Sequence, residues 1–345
     1  MIGSDSPHTR QTGRIVFIGA VHEARPALDV LLASPLVGVA AVITATPDGL
    51  AKLAGAVDLT APARSAGVPV IRADDVNAPE IVTTARELAP DLLVVVGWTR
   101  LLGRSLLSVP RRGCVGFHAS LLPAHRGRAP VNWAILRGET VTGNTMMMLD
   151  PGADTGDIVD QRPVTIGPED DCGTVYQRVG EAGAGMLAAH LPALLAGTAP
   201  RRRQNPDDGD VLPKRIPEMG AIDWAQPARA VHDWVRALTL PYPGAFGAVE
   251  GRRILVWTTL PPTSRRSPAG APGTVLGLDS SGVSVATGAG SVVVTRMSAA
   301  GEPPEPAAAW CRAHGIRPGM RFDPVPAELA RWSRGEGPRP KVAAR

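Results

Sequence analysis

Two short segments of the chain hold side chains spaced for proton chemistry. The first is His118-Ala119-Ser120-Leu121-Leu122-Pro123-Ala124-His125-Arg126-Gly127-Arg128-Ala129-Pro130. An apolar run, Cys114 to Phe117, leads into His118 as a strand leads into a loop. Pro123, Gly127 and Pro130 then stiffen the backbone before a helix expected to begin near Val131. A histidine held at a strand end titrates near neutral pH and suits proton transfer. The second segment is Asp150-Pro151-Gly152-Ala153-Asp154-Thr155-Gly156-Asp157, which follows the apolar run Thr145 to Leu149. A carboxylate beside the histidine would orient its ring and favour its protonated form. Singly, each feature has a plainer reading. A strand-end histidine is often structural. An Asp-x-Gly-x-Asp loop can be a turn or half of a cation site, although the calcium-loop spacing and its terminal Glu are missing.

The elements that must position these loops read as alternating strands and helices. Strands are expected at Arg14 to Ile18, Val37 to Thr44, Val68 to Ile71 and Leu92 to Val96, with helical spacing at Pro26 to Leu32, Ala61 to Ala66 and Ile81 to Leu88. Continuous apolar strands separated by helices predict a parallel, doubly wound sheet, whose ligands gather at the carboxyl ends of the strands. Both chemistry-bearing loops follow strands, which would place both at that end. Residues 19–24 lack the glycines of a dinucleotide fingerprint, and there is no phosphate loop of the Gly-Lys-Ser/Thr type.

Near Arg201 the texture changes. Arg201 to Gly209 is polar and rich in breakers, and reads as a solvated linker. Beyond it come an amphipathic helix, Ala228 to Leu238, and short strands at Ala245 to Val249, Arg253 to Trp257, Gly273 to Leu278, Gly282 to Ala286 and Ser291 to Met297. Short strands at close spacing predict a small barrel. The expected division is a disordered tail over 1–12, a catalytic domain over 13–206, an OB-like domain over 207–315, and a tail over 316–345 that is partly disordered. At 345 residues, 44% hydrophobic and 20% charged, the composition is that of a globular protein. No apolar stretch approaches the ~20 residues of a membrane span and no export signal opens the chain. Cys114, Cys172 and Cys311 lie far apart and read as buried residues of a reducing compartment, so a cytoplasmic location is expected. The histidines show no metal-ligand spacing, so no metal is expected. A net charge of +4 is mild and gives only weak reason to expect a nucleic-acid partner.

The two loops together resemble the methionyl-tRNA formyltransferase family, which includes the amino-sugar N-formyltransferases. Its signature has the form Asn-x-His-x-Ser-Leu-Leu-Pro-x-x-Arg-Gly-x-x-Pro, then Met-Asp-x-Gly-x-Asp-Thr-Gly. Here the matching stretches are His118 to Ile135 and Thr145 to Ile158, with looser likeness at Gly220 to Trp224, Val235 to Leu238, Pro241 to Ala245 and Pro272 to Leu276. The resemblance implies an α/β, Rossmann-like parallel-sheet formyltransferase domain followed by a small OB-like β-barrel domain. It also implies 10-formyltetrahydrofolate as co-substrate. His118 and Asp154 match the family's catalytic pair, which manages the proton of an amine attacking the formyl carbon. Val96, Gly97, Trp98 and Leu101 match its folate-side loop, and Asp150 and Gly152 are expected at the same ligand. Ser120, Leu121, Leu122, Pro123, Arg126 and Gly127 shape the histidine's loop.

The sequence departs from the pattern at Gly116, where the family has an asparagine that would donate to the formyl oxyanion. Loss of one such donor typically lowers the rate by about 10²–10³. Its expected replacements are His125, Asn132 or the Gly116 backbone N–H. The stretch Thr46 to Leu59, where tRNA-acting members carry a basic insertion, has one lysine against two aspartates. That is a poor surface for a phosphate backbone, and together with the missing asparagine it favours a small-molecule amine, an amino sugar or secondary-metabolite intermediate, over Met-tRNA. A folate hydrolase with water as acceptor, and a folate binder with little turnover, are the competing classes. No membrane partner is expected.

Overall fold

A computed structural model describes residues 13–205, 207–262 and 270–340. The expected N-terminal tail lies outside them. The chain divides into two compact units. The first runs to His118 and adds Thr145–Arg162 and the stretch from Gly180 to just before Asp207; the second holds Ala119–Asn144, Pro163–Val179 and the rest. The sequence-based boundary near residue 206 is therefore crossed by two excursions of the chain.

In chain order the first strands are β1 (Gly13–Gly19), β2 (Val37–Thr44), β3 (Val70–Arg72), β4 (Leu92–Val96), β5 (Cys114–His118), the short β6 (Arg126–Gly127), β7 (Val141–Met148) and β8 (Ile158–Thr165). All but β6 form one sheet in the order β3-β2-β1-β4-β5-β7-β8. The strands are apolar on both faces because both faces are covered. Along β1, Ile15 and Phe17 enter one core, with Leu28 and Leu31 of the helix Ala24–Ala33 and Leu187 and Leu191 of the helix Cys172–Ala196. Val16 and Ile18 enter the other, with Ile81 and Val82 of the helix Pro79–Glu87. The order reverses between β1 and β4, which opens the switch-point crevice where ligands of such sheets bind.

Two features depart from the sequence reading. The pairs β1–β2, β1–β4, β2–β3 and β4–β5 are parallel, but β5 and β7 are antiparallel. The connection over 119–140 leaves and returns at the same end of the sheet, so no crossover forms and β7 runs back alongside β5. The helix Cys172–Ala196 also went unseen as one unit, since Arg178, Glu181 and His190 interrupt its apolar run. By length and composition alone it could cross a membrane. Here Met186, Leu187, Leu191 and Leu194 are buried in the core of the first sheet.

The second unit contains β9 (Val211–Leu212), which pairs with β6, then β10 (Ala245–Val249), β11 (Arg252–Leu260), β12 (Val275–Leu278), β13 (Val283–Ala286), β14 (Ser291–Ser298) and β15 (Glu305–Pro306). The last six form an antiparallel sheet ordered β10-β11-β14-β13-β12, with β15 on β14. The amphipathic helix Ala228–Leu238 packs on it, as its one-sided pattern predicts. Residues expected as a tail are built into this unit. Phe322 is 2% exposed with its ring 4.7 Å from that of Trp224, and Ala327–Ser333 is a helix. Composition misled there because two or three large side chains suffice to anchor a polar segment.

Phe17 is fully buried in the central strand. Phe17→Ala is expected to lower unfolding stability by about 3–5 kcal/mol, read from a urea titration followed by circular dichroism.

Candidate functional site

The site is built at the carboxyl ends of β1, β4 and β5. Gly19 on β1 pairs with Val96 on β4, and Val95 pairs with Gly116 on β5. β4 ends at Val96 and β5 at His118, so the loop opening at Gly97 and the His118 loop leave the same end of the sheet. Alternation along β5 puts Cys114, Gly116 and His118 on one face and Val115 and Phe117 on the other. His118 is 7% exposed, and its Nδ1 lies 3.4 Å from Oδ1 of Asp154.

Asp154 reaches His118 by an indirect path. Because β7 is antiparallel, Met148 stands opposite Val115 and the Leu149 N–H donates to the Cys114 carbonyl at 2.7 Å. The Asp150–Asp157 loop thus starts at the amino end of β5, not at the carboxyl end that the sequence reading assigned to it. It must climb four residues of β5, roughly 13 Å, to bring a carboxylate to His118. Its internal bonds show how. Asp150 Oδ1 accepts from the Gly152 N–H at 2.9 Å and the Thr155 hydroxyl at 2.7 Å. Asp154 adopts a left-handed φ of 57°. At Gly156 an added Cβ would lie 1.8 Å from the Met148 carbonyl oxygen, so only glycine closes the loop against β7.

Gln204 then fixes the loop. Its buried amide donates to the Asp154 carbonyl at 3.0 Å and the Gly156 carbonyl at 2.8 Å. The sequence reading placed Gln204 in a solvated linker. The linker is in fact pinned, with Arg202 bridged to Ile158, and a single glutamine in a polar stretch carries no signal of this. Opposite His118 in the register, Thr145 accepts from Gln161 Nε2 at 2.9 Å.

The structure accounts for Gly116 without an oxyanion role. A Cβ there would meet Leu149 Cδ2 at 2.5 Å, so the climbing loop lies against β5 where a side chain would otherwise stand. The Gly116 backbone is paired with Val95 on one side and Met147 on the other. The other two expected donors belong to the second unit and are engaged there. Asn132 is fully buried, donates to the Ala237 carbonyl at 2.6 Å and accepts from the Tyr176 hydroxyl at 3.2 Å. The His125 ring is 3.2 Å from Glu139, and the His125 backbone N–H donates to Asp210 at 2.7 Å. The loop-shaping residues are also in this unit. The Ser120 hydroxyl donates to the Ala124 carbonyl at 2.7 Å, Leu122 is buried, and Leu122–Pro123 is a cis peptide bond, with Leu121 beside it. Arg126 donates to the Asp208 carbonyl at 2.9 Å, and Gly127 approaches the Leu212 backbone too closely for a side chain.

The loop expected to face folate follows β4. Val96 is buried, and Gly97 has a left-handed φ of 61°, with Val21 2.4 Å from where its Cβ would stand. Trp98 packs on the core beneath and Leu101 is exposed. Asn77 braces this loop, donating to the Leu101 carbonyl at 3.0 Å and accepting from the Gly103 N–H at 2.6 Å. Among the described residues no three His, Cys, Asp or Glu side chains gather as a metal set. Burial pushes the Cys114 thiol up to about 12 and the Cys311 thiol to about 11, which removes both as nucleophiles near neutral pH.

The sequence matches the Formyl transferase family over residues 13–191 and the Formyl transferase, C-terminal domain over residues 215–315. It is similar to the methionyl-tRNA formyltransferase of Geobacter sulfurreducens, 35% identical over 311 residues that cover 90% of this chain and 96% of that protein. To the methionyl-tRNA formyltransferase of Anaeromyxobacter dehalogenans it is 38% identical over 309 residues, covering 88% and 97%. Its fold is similar to HypX from Aquifex aeolicus, with a TM-score of 0.63 at 21% identity; the match covers 91% of this chain, which spans about half of HypX, 51%. It is also similar to an N-formyltransferase from Helicobacter canadensis in complex with folinic acid and dTDP-3-aminofucose, with a TM-score of 0.61 at 18% identity, covering 81% and 98%.

Two outcomes follow from these contacts. Gln204→Ala removes both bonds to the Asp154 loop and is expected to lower stability by about 1–3 kcal/mol, seen as a reduced urea midpoint. His125 is held above its ordinary pKa by its hydrogen bond to Glu139, against the opposing effect of burial. Its stabilising contribution is therefore complete below the unfolded value of about 6.5 and fades as pH rises through the folded one. His125→Gln should accordingly lose more stability at about pH 5.5 than at about pH 8.5 in paired thermal melts.

Proposed function

Because the chain belongs to the formyl transferase family, we propose that it moves the formyl group of 10-formyltetrahydrofolate to the α-amino group of methionyl-tRNA in the cytoplasm. The observation that carries this acceptor is the likeness to methionyl-tRNA formyltransferases along nearly the whole of both chains, C-terminal domain included. It outweighs the preference for a small amine drawn from the Thr46–Leu59 stretch and the missing asparagine.

In this reading the folate lies in the crevice beside Gly97 and the loop after β4. The amine attacks the formyl carbon, a C–N bond forms, and the carbonyl electron pair moves to oxygen. His118 takes a proton from the attacking nitrogen and delivers it to N10 of the departing folate, the C–N10 bond breaks, and the carbonyl re-forms. Asp154, 3.4 Å from Nδ1, orients the ring and favours the imidazolium that exists between the two transfers.

A small-molecule acceptor is the second reading, favoured by one observation. The stretch that would carry a basic insertion holds Lys52 against Asp48 and Asp58 and is tied to its neighbours, Asp58 accepting from Thr60 and Arg72, and Thr46 donating to Asp74.

Purified protein with 10-formyltetrahydrofolate should yield tetrahydrofolate when Met-tRNA is supplied, and His118→Ala should lower that rate by about 10²–10⁴. Turnover with amino sugars and not with Met-tRNA would replace the first reading by the second. Formate release with no acceptor would identify a hydrolase, and folate binding without turnover a binder.

A further inference from the structure

Formyl transfer to a primary amine has a proton balance that His118 alone does not close. An α-amino group has a pKa of about 8 and an alkylamine about 10, so the acceptor arrives largely as an ammonium. The ammonium must lose one proton before it can attack and a second as the amide forms. N10 of the folate takes up one. One proton is left over per cycle, and if His118 had already taken it, the ring could not accept the next.

A second carboxylate stands at the same end of the sheet. Glu23 lies in the turn between β1 and the helix Ala24–Ala33, at the switch point. Its Oε2 is 3.6 Å from where a Cβ on Gly97 would stand, at the start of the loop after β4, the strand whose Val95 pairs with Gly116 of β5. The side chain is 14% exposed, and its Oε2 lies 4.0 Å from His22 Nε2. Gly180, on the helix Cys172–Ala196, covers its backbone, with Glu23 Cα 3.3 Å from where a Cβ would stand. Burial holds this carboxyl above its ordinary pKa, while His22 and its own backbone N–H oppose the shift. The other ionisable groups nearby in the chain are Arg25 and Asp29, bonded to each other at 2.9 Å, and Glu181 beside Gly180. Nothing in the folding of the turn calls for an acid there. Glu23 makes no cap bond to its helix from the side chain.

We propose that Glu23 is a second proton acceptor of the transfer, taking the ammonium's first proton and leaving His118 to carry the second from the attacking nitrogen to N10. The carboxylate becomes a carboxylic acid, the ammonium a neutral amine, and the acid returns the proton to water through its exposed edge after the amide has formed. Atoms and charge then balance over the cycle with one proton released. This rests on the formyl-transfer reading above.

The test is Glu23→Gln, which keeps shape and removes the titration. With 10-formyltetrahydrofolate and Met-tRNA, kcat/KM at about pH 7 should fall about tenfold, the share of an amine of pKa about 8 that is still neutral there, with the KM for the folate unchanged. The deficit should shrink to within about threefold once pH exceeds the acceptor's own pKa of about 8, because the amine then arrives neutral. A loss by the same factor at every pH marks a merely structural residue and overturns the proposal, as does no loss at all. An inactive wild type would fail the acceptor reading and not this one, which is then judged by ¹³C-glutamate difference spectra of wild type against Glu23→Gln. A Glu23 carboxyl titrating above the usual value of about 4.3 supports the assignment, and titration at that value overturns it.

Discussion

The antiparallel pairing of β5 with β7 is the constraint on which the site depends. It sends the chain back down the sheet, so the carboxylate that meets His118 comes from a loop that leaves at the bottom. Every unusual feature of the 149–157 segment serves that climb. The Asp150–Thr155 and Asp150–Gly152 bonds tighten the turn, the left-handed Asp154 redirects it, and Gly156 lets it pass the Met148 carbonyl. A left-handed non-glycine residue is disfavoured by local sterics and persists where surroundings over-determine it. Gln204 supplies that surrounding with two bonds to backbone carbonyls on either side of the loop's last turn.

The same constraint gives Gly116 a physical reason. The climbing loop runs along the face of β5 that carries Cys114, Gly116 and His118, and Leu149 lies where a side chain at 116 would stand. An asparagine there would need Leu149 to swing aside, so this chain holds an apolar contact where the family pattern holds a polar donor. The groups that sequence reasoning offered as substitutes are spent elsewhere. Asn132 belongs to a buried chain of hydrogen bonds through Tyr176 to Tyr242, and His125 to an ion pair with Glu139. A buried amide in such a network is expensive to free, since its partners would be left unsatisfied.

What the sequence made legible follows the range of the interactions involved. β1, β2 and β4 read correctly because strand periodicity and breakers are local signals, and the His118 loop because proline and glycine punctuate it. The helix Ala228–Leu238 was legible to the residue, since its apolar face is one-sided. The direction of β7 was not, because antiparallel and parallel strands share the same alternation and differ only in where the connection returns. Gln204 was illegible for a related reason: its partners lie 48 and 50 residues earlier, and nothing near it in the chain marks the bonds. The segment after 315 shows the reverse error, where a Pro- and Arg-rich texture concealed Phe322, whose ring lies tilted 4.7 Å from that of Trp224.

Glu23 joins these threads. A sheet whose order reverses between β1 and β4 leaves the turns after both strands free to face one ligand, and the parallel register brings the ends of β1, β4 and β5 level. His118 and Asp154 come from the far side of that row, through the climb along β5, and Glu23 from the near side, through the turn that starts the first helix. The two acidic groups differ in setting. Asp154 stands beside the His118 imidazole, 3.4 Å from its Nδ1. Glu23 has the half-shielded His22 at 4.0 Å and is dominated by burial, which favours its neutral form. One carboxyl orients an imidazole and the other stands in a buried turn across the row, and a reaction that sheds one proton while passing another along has a place for both.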